Sequence, residues 1–425
     1  MFDLIVRHAT LPDGRENQDI ACNDGRITQI SEGIDADARD EIDADGYLVS
    51  PPFVDGHLHV DAALLHGRPR VNEAGDLYEG IRIWAEAKRH TSIEDYKERA
   101  RQICAWSIAQ GTLFIRCQTD ICEPDLNAVR ALIAVRDEMK PYITLQIVAF
   151  PQDGFLRHPQ ARQLLLEALD LGAEVVGGIP DYELTAALGN RSIQELCAIA
   201  ASKNLLVDMH MDQTTDPQSR QIEALTAETI ELGLGVRVTA SHCPTLSSVN
   251  EYYLDKLIDQ IAQSEMTIMV QPMQAATCWG LMAPIGKLLS GGVNVALGQD
   301  CVLDPWYPFG VCDMLDIAHM AATFGQVLDS KRKRMLFESV TTVGARALGV
   351  EDYGLEEGGP ADFVILQAYD PEEAIRLRPP RLMVVRGGKV LSRQQKQQAS
   401  LTLGKQELTV EFARPPHTRI KNGSH

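Results

Sequence analysis

His57 and His59 stand two apart in "FVDGHLHVD", where an apolar run ends. Side chains two apart on an extended strand point to the same side, so this pair can converge on one ion. Three more candidates close other apolar runs: His210 in "LLVDMHMDQ", His242 in "VRVTASHC" and Asp300 in "VNVALGQD". If those runs end on one face of a single fold, four imidazoles and a carboxylate meet there. Burying Asp300 unpaired would be costly, and a divalent cation compensates it. Nitrogen-rich ligands with one carboxylate suit Zn2+ or Fe2+ better than Mg2+ or Ca2+. His8, His66, His90, His158, His319, His417 and His425 have no comparable placement and read as ordinary surface or core residues.

The elements that must position these groups are legible as a repeat. Eight β-rich segments recur, at 47–56, 111–120, 142–151, 173–181, 205–212, 236–243, 266–272 and 293–300. Amphipathic stretches such as "LYEGIRIWAEAKRH", "LNAVRALIAVRDEMK" and "EYYLDKLIDQIAQSE" separate them with apolar residues at helical spacing. Near-continuous apolar strands alternating with helices predict a parallel sheet covered by helices, and eight units close a (β/α)8 TIM barrel. Polar residues sit at the C-terminal ends of the segments: His57, His59, Gln118, Gln152, Asp181, His210, His242, Gln271 and Asp300. In a barrel that is the catalytic face.

Both ends of the chain differ in character. Residues 1–50 ("FDLIVRHATL", "DIACNDGRITQI") and the segment from 351, with "GGPADFVILQ" and "RLMVVRGGKVL", read as short strands and turns. The expectation is a barrel over 51–350 and a small β-sandwich built from 1–50 and 351–425, whose tail from about 398 holds one more strand and then frays.

The 425 residues are 45% hydrophobic and 23% charged, the balance of a globular protein with a large core. A net charge of −19, from 59 acidic and 40 basic residues, argues against nucleic acid and anionic membranes as partners. No stretch has the length of a membrane span. The nine scattered cysteines form no C-x-x-C pair and read as reduced thiols, so a cytoplasmic protein is expected. The zinc-deaminase signature H-x-E with P-C-x-x-C, the H-E-x-x-H helix, the P-loop and the dinucleotide fingerprint are all missing.

The order H-x-H after strand one, His after strands five and six, and Asp after strand eight resembles the amidohydrolase superfamily. "FVDGHLHVD", "LQIVAFPQDG", "GAEVVGGIPDYE", "GVRVTASH" and "DPWYPFGVCDML" together resemble its cytosine deaminase-like group over nearly the whole chain. That resemblance implies one divalent metal, Zn2+ or Fe2+, held by His57, His59, His210 and Asp300. It has no lysine ending strand four for a second metal. It further implies Asp300, His242 and Gln213 as the catalytic set, with water activated by the metal. Asp300 would take the water's proton, and His242 would stabilise the developing oxyanion. Gln152, Trp306, Asp181, Gln118 and Cys301 form the expected substrate shell, and Trp84 is either a pocket wall or core. The implied reaction removes an exocyclic amine from a pyrimidine- or triazine-like ring. The partner is a small heterocycle, with homo-oligomerisation left open.

Departures from the group fall on the substrate side. Its strand-five motif His-x-Asp-Glu reads His210-Met211-Asp212-Gln213 here, and an amide cannot exchange a proton at neutral pH. Gln118, Gln299 and Cys301 replace the usual His, His and Asp. The metal set is kept while the substrate shell changes, which points to altered substrate choice. The alternatives are hydrolysis of a cyclic amide or imide C–N bond, release of an N-alkylamine in the manner of N-isopropylammelide hydrolysis, and metal-dependent ring binding without turnover.

Overall fold

The structure is a computed structural model that describes residues 1–414. It divides into two compact units: Val54–Ser107 with Thr112–Glu351, and Met1–Phe53 with Ile108–Gly111 and the chain from Asp352.

The larger unit is the barrel. Its parallel strands are β1 (Phe53–Leu58), β2 (Thr112–Asp120), β3 (Thr144–Phe150), β4 (Val175–Gly178), β5 (Leu206–Met211), β6 (Val238–His242), β7 (Thr267–Val270) and β8 (Asn294–Leu297), hydrogen-bonded in sequence order. Nearly every residue in them is buried, because helices cover the outer face and side chains fill the inside. The seam between β8 and β1 closes beyond the strands' ends: the Asp300 amide donates to the His57 carbonyl (2.7 Å) and the His59 amide to the Asp300 carbonyl (2.8 Å). Two helices precede β2, α1 (Leu77–Lys88) and α2 (Ile93–Ala109). The Asp76 side chain caps α1 by accepting from the Glu79 amide at 2.7 Å.

Inside the barrel, below the strand exits, lies a polar layer. Arg116 of β2 donates to Asp208 of β5 (3.0 Å), to Thr239 of β6 (2.9 Å), to Gln146 of β3 (2.8 Å) and to the Ala347 carbonyl (2.6 Å). Asp208 and Thr239 are register partners on neighbouring strands, so one guanidinium reaches both. No atom of Arg116, Asp208 or Thr239 is accessible, and this charge is tolerated because the network pairs it.

The smaller unit holds two four-stranded sheets. One runs Arg26–Ser31, Gln18–Asn23, Phe2–Ala9, Ala38–Asp43; the other Lys389–Arg393, Arg381–Arg386, Phe363–Leu366, Leu48–Ser50. Residues from both ends share its core: Leu4, Val6, Ile20, Ile27 and Val49 with Phe363, Ile365 and Val385. A short piece from the middle of the chain also belongs here, since the Phe53 amide donates to the Gly111 carbonyl at 2.8 Å. The expected strand near 398 is a hairpin, Ala399–Leu403 with Gln406–Val410. The rest of the tail, with His417 and His425, lies outside the described residues. Among the described residues no helix is long and apolar enough to cross a membrane, and all nine cysteines are free.

Candidate active site

The strand exits bring His57, His59, His210 and Asp300 together, with one ligand atom from each lying within 4.8 Å of all the others. His59 Nε2 is 3.1 Å from His210 Nε2, and Asp300 Oδ1 is 3.3 Å from His57 Nε2 and 3.4 Å from His59 Nε2. Ligand atoms each about 2.1 Å from one cation sit about 3.0–3.4 Å apart, and these three separations match that requirement. A single proton could reconcile one pair of facing nitrogens. It cannot meet a third imidazole and a carboxylate as well, whereas a divalent cation does.

Electrostatics agree with neutral imidazoles. Burial pulls His59 down to about 4 and His242 down to about 3, and holds His210 well below its ordinary range. Burial works against the Asp300 charge, and positive charge at the cluster, on protonated His242, His57 or His59 or on a cation standing in their place, lowers the carboxyl below its ordinary value. Lone pairs are therefore available at neutral pH.

The strand ends are shaped for this. His242 (φ 72°), Asp300 (φ 70°) and Asp212 (φ 49°) all adopt left-handed backbone, which costs a non-glycine residue about 1–3 kcal/mol. Hydrogen bonds hold it in place: the barrel seam for Asp300, and for His242 its amide donating to Gln271 Oε1 at 3.0 Å. Behind His57, Nδ1 is 2.9 Å from Ser241 Oγ, whose hydroxyl donates to Asp208 Oδ1 at 2.8 Å. With Ser241 donating onward, Nδ1 carries the proton and Nε2 is left as a ligand, an assignment that turns the Gln118 amide so that its otherwise unpaired oxygen faces Nδ1. Phe150 stacks on His210, with ring centroids 4.2 Å apart and planes 18° apart.

Above these groups is a narrow cavity lined by His59, His210, His242, Asp300, Gln152, Gln213, Gln274, Cys301, Leu77, Ile81, Ile179 and Trp306. Its polar atoms are sparsely paired. Both ring nitrogens of His242 and Gln274 Oε1 are buried without a partner. Trp306 is held from behind, since its amide and that of Tyr307 donate to Asp304 Oδ1 at 2.8 and 2.9 Å.

Two expected placements differ, and one open alternative is decided. Gln118 was expected at the substrate, but it lies buried behind His57, with its amide 3.1 Å from Nδ1. It lies too deep in the barrel to reach the cavity lining. Asp181 likewise does not line the cavity; its carboxylate accepts from the amides of Gln213 (2.7 Å) and Asp212 (3.2 Å). Burial and the Asp212 charge push it up to about 7. Trp84 is core and donates to Asp120 Oδ2 at 2.8 Å. Asp212 itself faces away, accepting from the amides of Gln221 (3.0 Å) and Ile222 (2.9 Å) at the start of the next helix.

Sequence reading missed Asp208, Ser241 and Arg116, although two of them left a signal. Asp208 sits two before His210 and so faces the same interior, and Arg116 is a charge inside an apolar strand. Leu77, Ile81 and Gln274 carried no signal, because their contact with the cavity depends on how their segments fold over the barrel mouth.

A model of the amidohydrolase family matches residues 40–392. The chain is 30% identical over 405 residues to N-isopropylammelide isopropyl amidohydrolase of Pseudomonas sp. (strain ADP), covering 92% of this chain and 97% of that protein. A crystal structure of 5-methylcytosine deaminase from Klebsiella pneumoniae, liganded with phosphonocytosine, superposes with a TM-score of 0.89 at 35% identity, covering 92% of this chain and 99% of that one. N-isopropylammelide isopropylaminohydrolase from Burkholderia multivorans superposes with a TM-score of 0.82 at 26% identity, covering 92% and 99%.

Proposed function

The chain belongs to the amidohydrolase family, and from that premise we propose that it hydrolytically removes an exocyclic amine from a pyrimidine- or triazine-like ring. One observation carries the reading: the four ligand atoms gathered within 4.8 Å open onto a cavity that also presents His242, Gln152 and Gln213. His57, His59, His210 and Asp300 would hold one divalent metal, and three imidazoles with a carboxylate favour Zn2+ or Fe2+. Such an ion supplies Lewis acidity and a nucleophile from water at neutral pH.

The remaining work falls to side chains. Asp300, ionised beside the cation that its site would hold, would accept the proton that the attacking water loses. His242, neutral and 4.0 Å from Asp300 Oδ2, offers an N–H to the charge that develops at the attacked carbon's substituent. Trp306 and Ile179 form walls for a flat ring, and Gln152 reads its polar edge. Gln213 stands where the deaminase-like group carries a glutamate. Its Nε2 faces Asp181 Oδ2 at 3.5 Å, which turns Oε1 to the cavity as an acceptor. It holds a ring N–H but cannot shuttle a proton. The likeness to both a methylcytosine deaminase and an alkylamine-releasing ammelide hydrolase supports the ring class.

The test is amine release by metal-loaded protein on cytosine, 5-methylcytosine, isocytosine, creatinine, ammelide and N-isopropylammelide. Ammonia or alkylamine from at least one ring is expected, with cytosine slow. Gln213→Glu should raise cytosine turnover by about 10²-fold or more, the scale of a restored acid–base group. A ring-opened product, or no product from any ring, would overturn the proposal.

A further inference from the structure

Helix α1 contributes Leu77 and Ile81 to the cavity. Trp306 docks on its first turn, where Nε1 donates to the Leu77 carbonyl at 3.2 Å. A side chain at Gly80 would collide with that indole. The other end of α1 is tied down differently. Lys88 Nζ, on a residue only 6% exposed, donates to Asp120 Oδ2 and to Asp153 Oδ2, each at 2.8 Å. Asp120 ends β2 and also accepts from Trp84 Nε1 of α1, and from the Cys122 amide at 2.7 Å. Asp153 directly follows Gln152, the residue at the exit of β3 that reads the ring. Burial opposes the Lys88 charge, and the two carboxylates outweigh it and keep the ammonium protonated.

A buried ion pair stabilises a fold little compared with apolar packing of the same volume. What it does well is fix one geometry, since removing one partner strands the others. We propose that Lys88 is a positioning residue: its ammonium latches α1, with Leu77, Ile81 and the docked Trp306, to the strand exits that carry Gln152, and so sets the slot in which the ring lies. This rests on the reading of the cavity as a ring-binding site. Lys88 touches neither the metal ligands nor the cavity, so the latch acts on binding and leaves the chemical step alone.

Native, Lys88→Met and Asp153→Asn holoenzymes would be compared for bound metal, for KM and kcat on the ring that the native protein turns over, and for amide hydrogen exchange in α1. Lys88→Met should raise KM about 10- to 100-fold with kcat within about three-fold, the signature of misplaced binding groups. Metal stoichiometry should stay unchanged, and faster exchange should be confined to α1. Asp153, whose side chain is 30% exposed, can lose its charge with little risk to folding. Asp153→Asn should raise KM by a smaller factor, about 3- to 10-fold, and it decides the matter if Lys88→Met does not fold. KM within about two-fold of native in the folded variants, or a parallel loss of kcat and metal, overturns the latch. If the native protein turns over no ring, the proposed function fails, while unchanged α1 exchange in the variants still overturns the latch.

Discussion

Two layers of the same barrel interior, one above the other, treat their polar atoms in opposite ways. The lower layer pairs its charges: Arg116 has four partners, and Asp208 accepts from both Arg116 and Ser241. The upper layer leaves His242 with neither ring nitrogen paired and Gln274 Oε1 without a donor, in a space lined on the other side by Trp306 and Ile81. Buried polar groups without partners cost stability. The lower layer is thus scaffold, holding His57 in one tautomer. On the proposed function, substrate and metal would complete the upper layer.

The contrast can be broken from either side. The largest effect is expected above. His242→Asn should lower amine release about 10²- to 10⁴-fold, the range for losing an acid–base or oxyanion group. Its denaturation midpoint should stay at the native value, since it removes no pairing. A fall in stability matching the fall in rate would place His242 in the scaffold. In the lower layer, Arg116→Met strands a buried carboxylate and should cost about 3–5 kcal/mol in urea unfolding. By loosening Asp208 and Ser241 behind His57, it should also weaken metal affinity about 10- to 100-fold. Unchanged stability would mean that the layer is not paired as described.

The smallest effect belongs to Asp181, which anchors the chain at Asp212 and Gln213. Its carboxyl titrates near 7 when folded and near the ordinary 3.8 when unfolded. Between those values the folded chain binds the proton more tightly, so this residue makes stability fall as pH rises through that window. Asp181→Asn keeps an acceptor for the Gln213 amide and should remove that share of the slope. Urea midpoints at about pH 4 and about pH 8 measure it, and an identical slope in the variant sinks the assignment.

Much was legible in the sequence. Alternation of apolar runs with helical patterns indicated the barrel, and the runs' polar ends marked its catalytic face. The kinship of both termini was visible as similar strand-rich composition. The four histidines and the aspartate of the cluster were legible for a local reason, since each stands at a strand exit and that is a short-range property, while the resemblance singled out four of them as ligand candidates. The substrate shell was less so. Gln118 and Asp181 have the right types at the right exits, yet one backs a ligand and the other anchors a loop.

Residue identity and period alone thus determined the eight-unit architecture, the grouping of four histidines and an aspartate from which the resemblance picks the ligand candidates, and the amide at Gln213. Only the tertiary structure decided which side chains face each other. His57 meets Gln118 across 61 residues, Arg116 meets Asp208 across 92, and Lys88 meets Asp120 across 32. Periodicity shows which way a residue points within its own strand. Its partner depends on the register between strands and on where the barrel closes, and those are set by the packing of the whole interior.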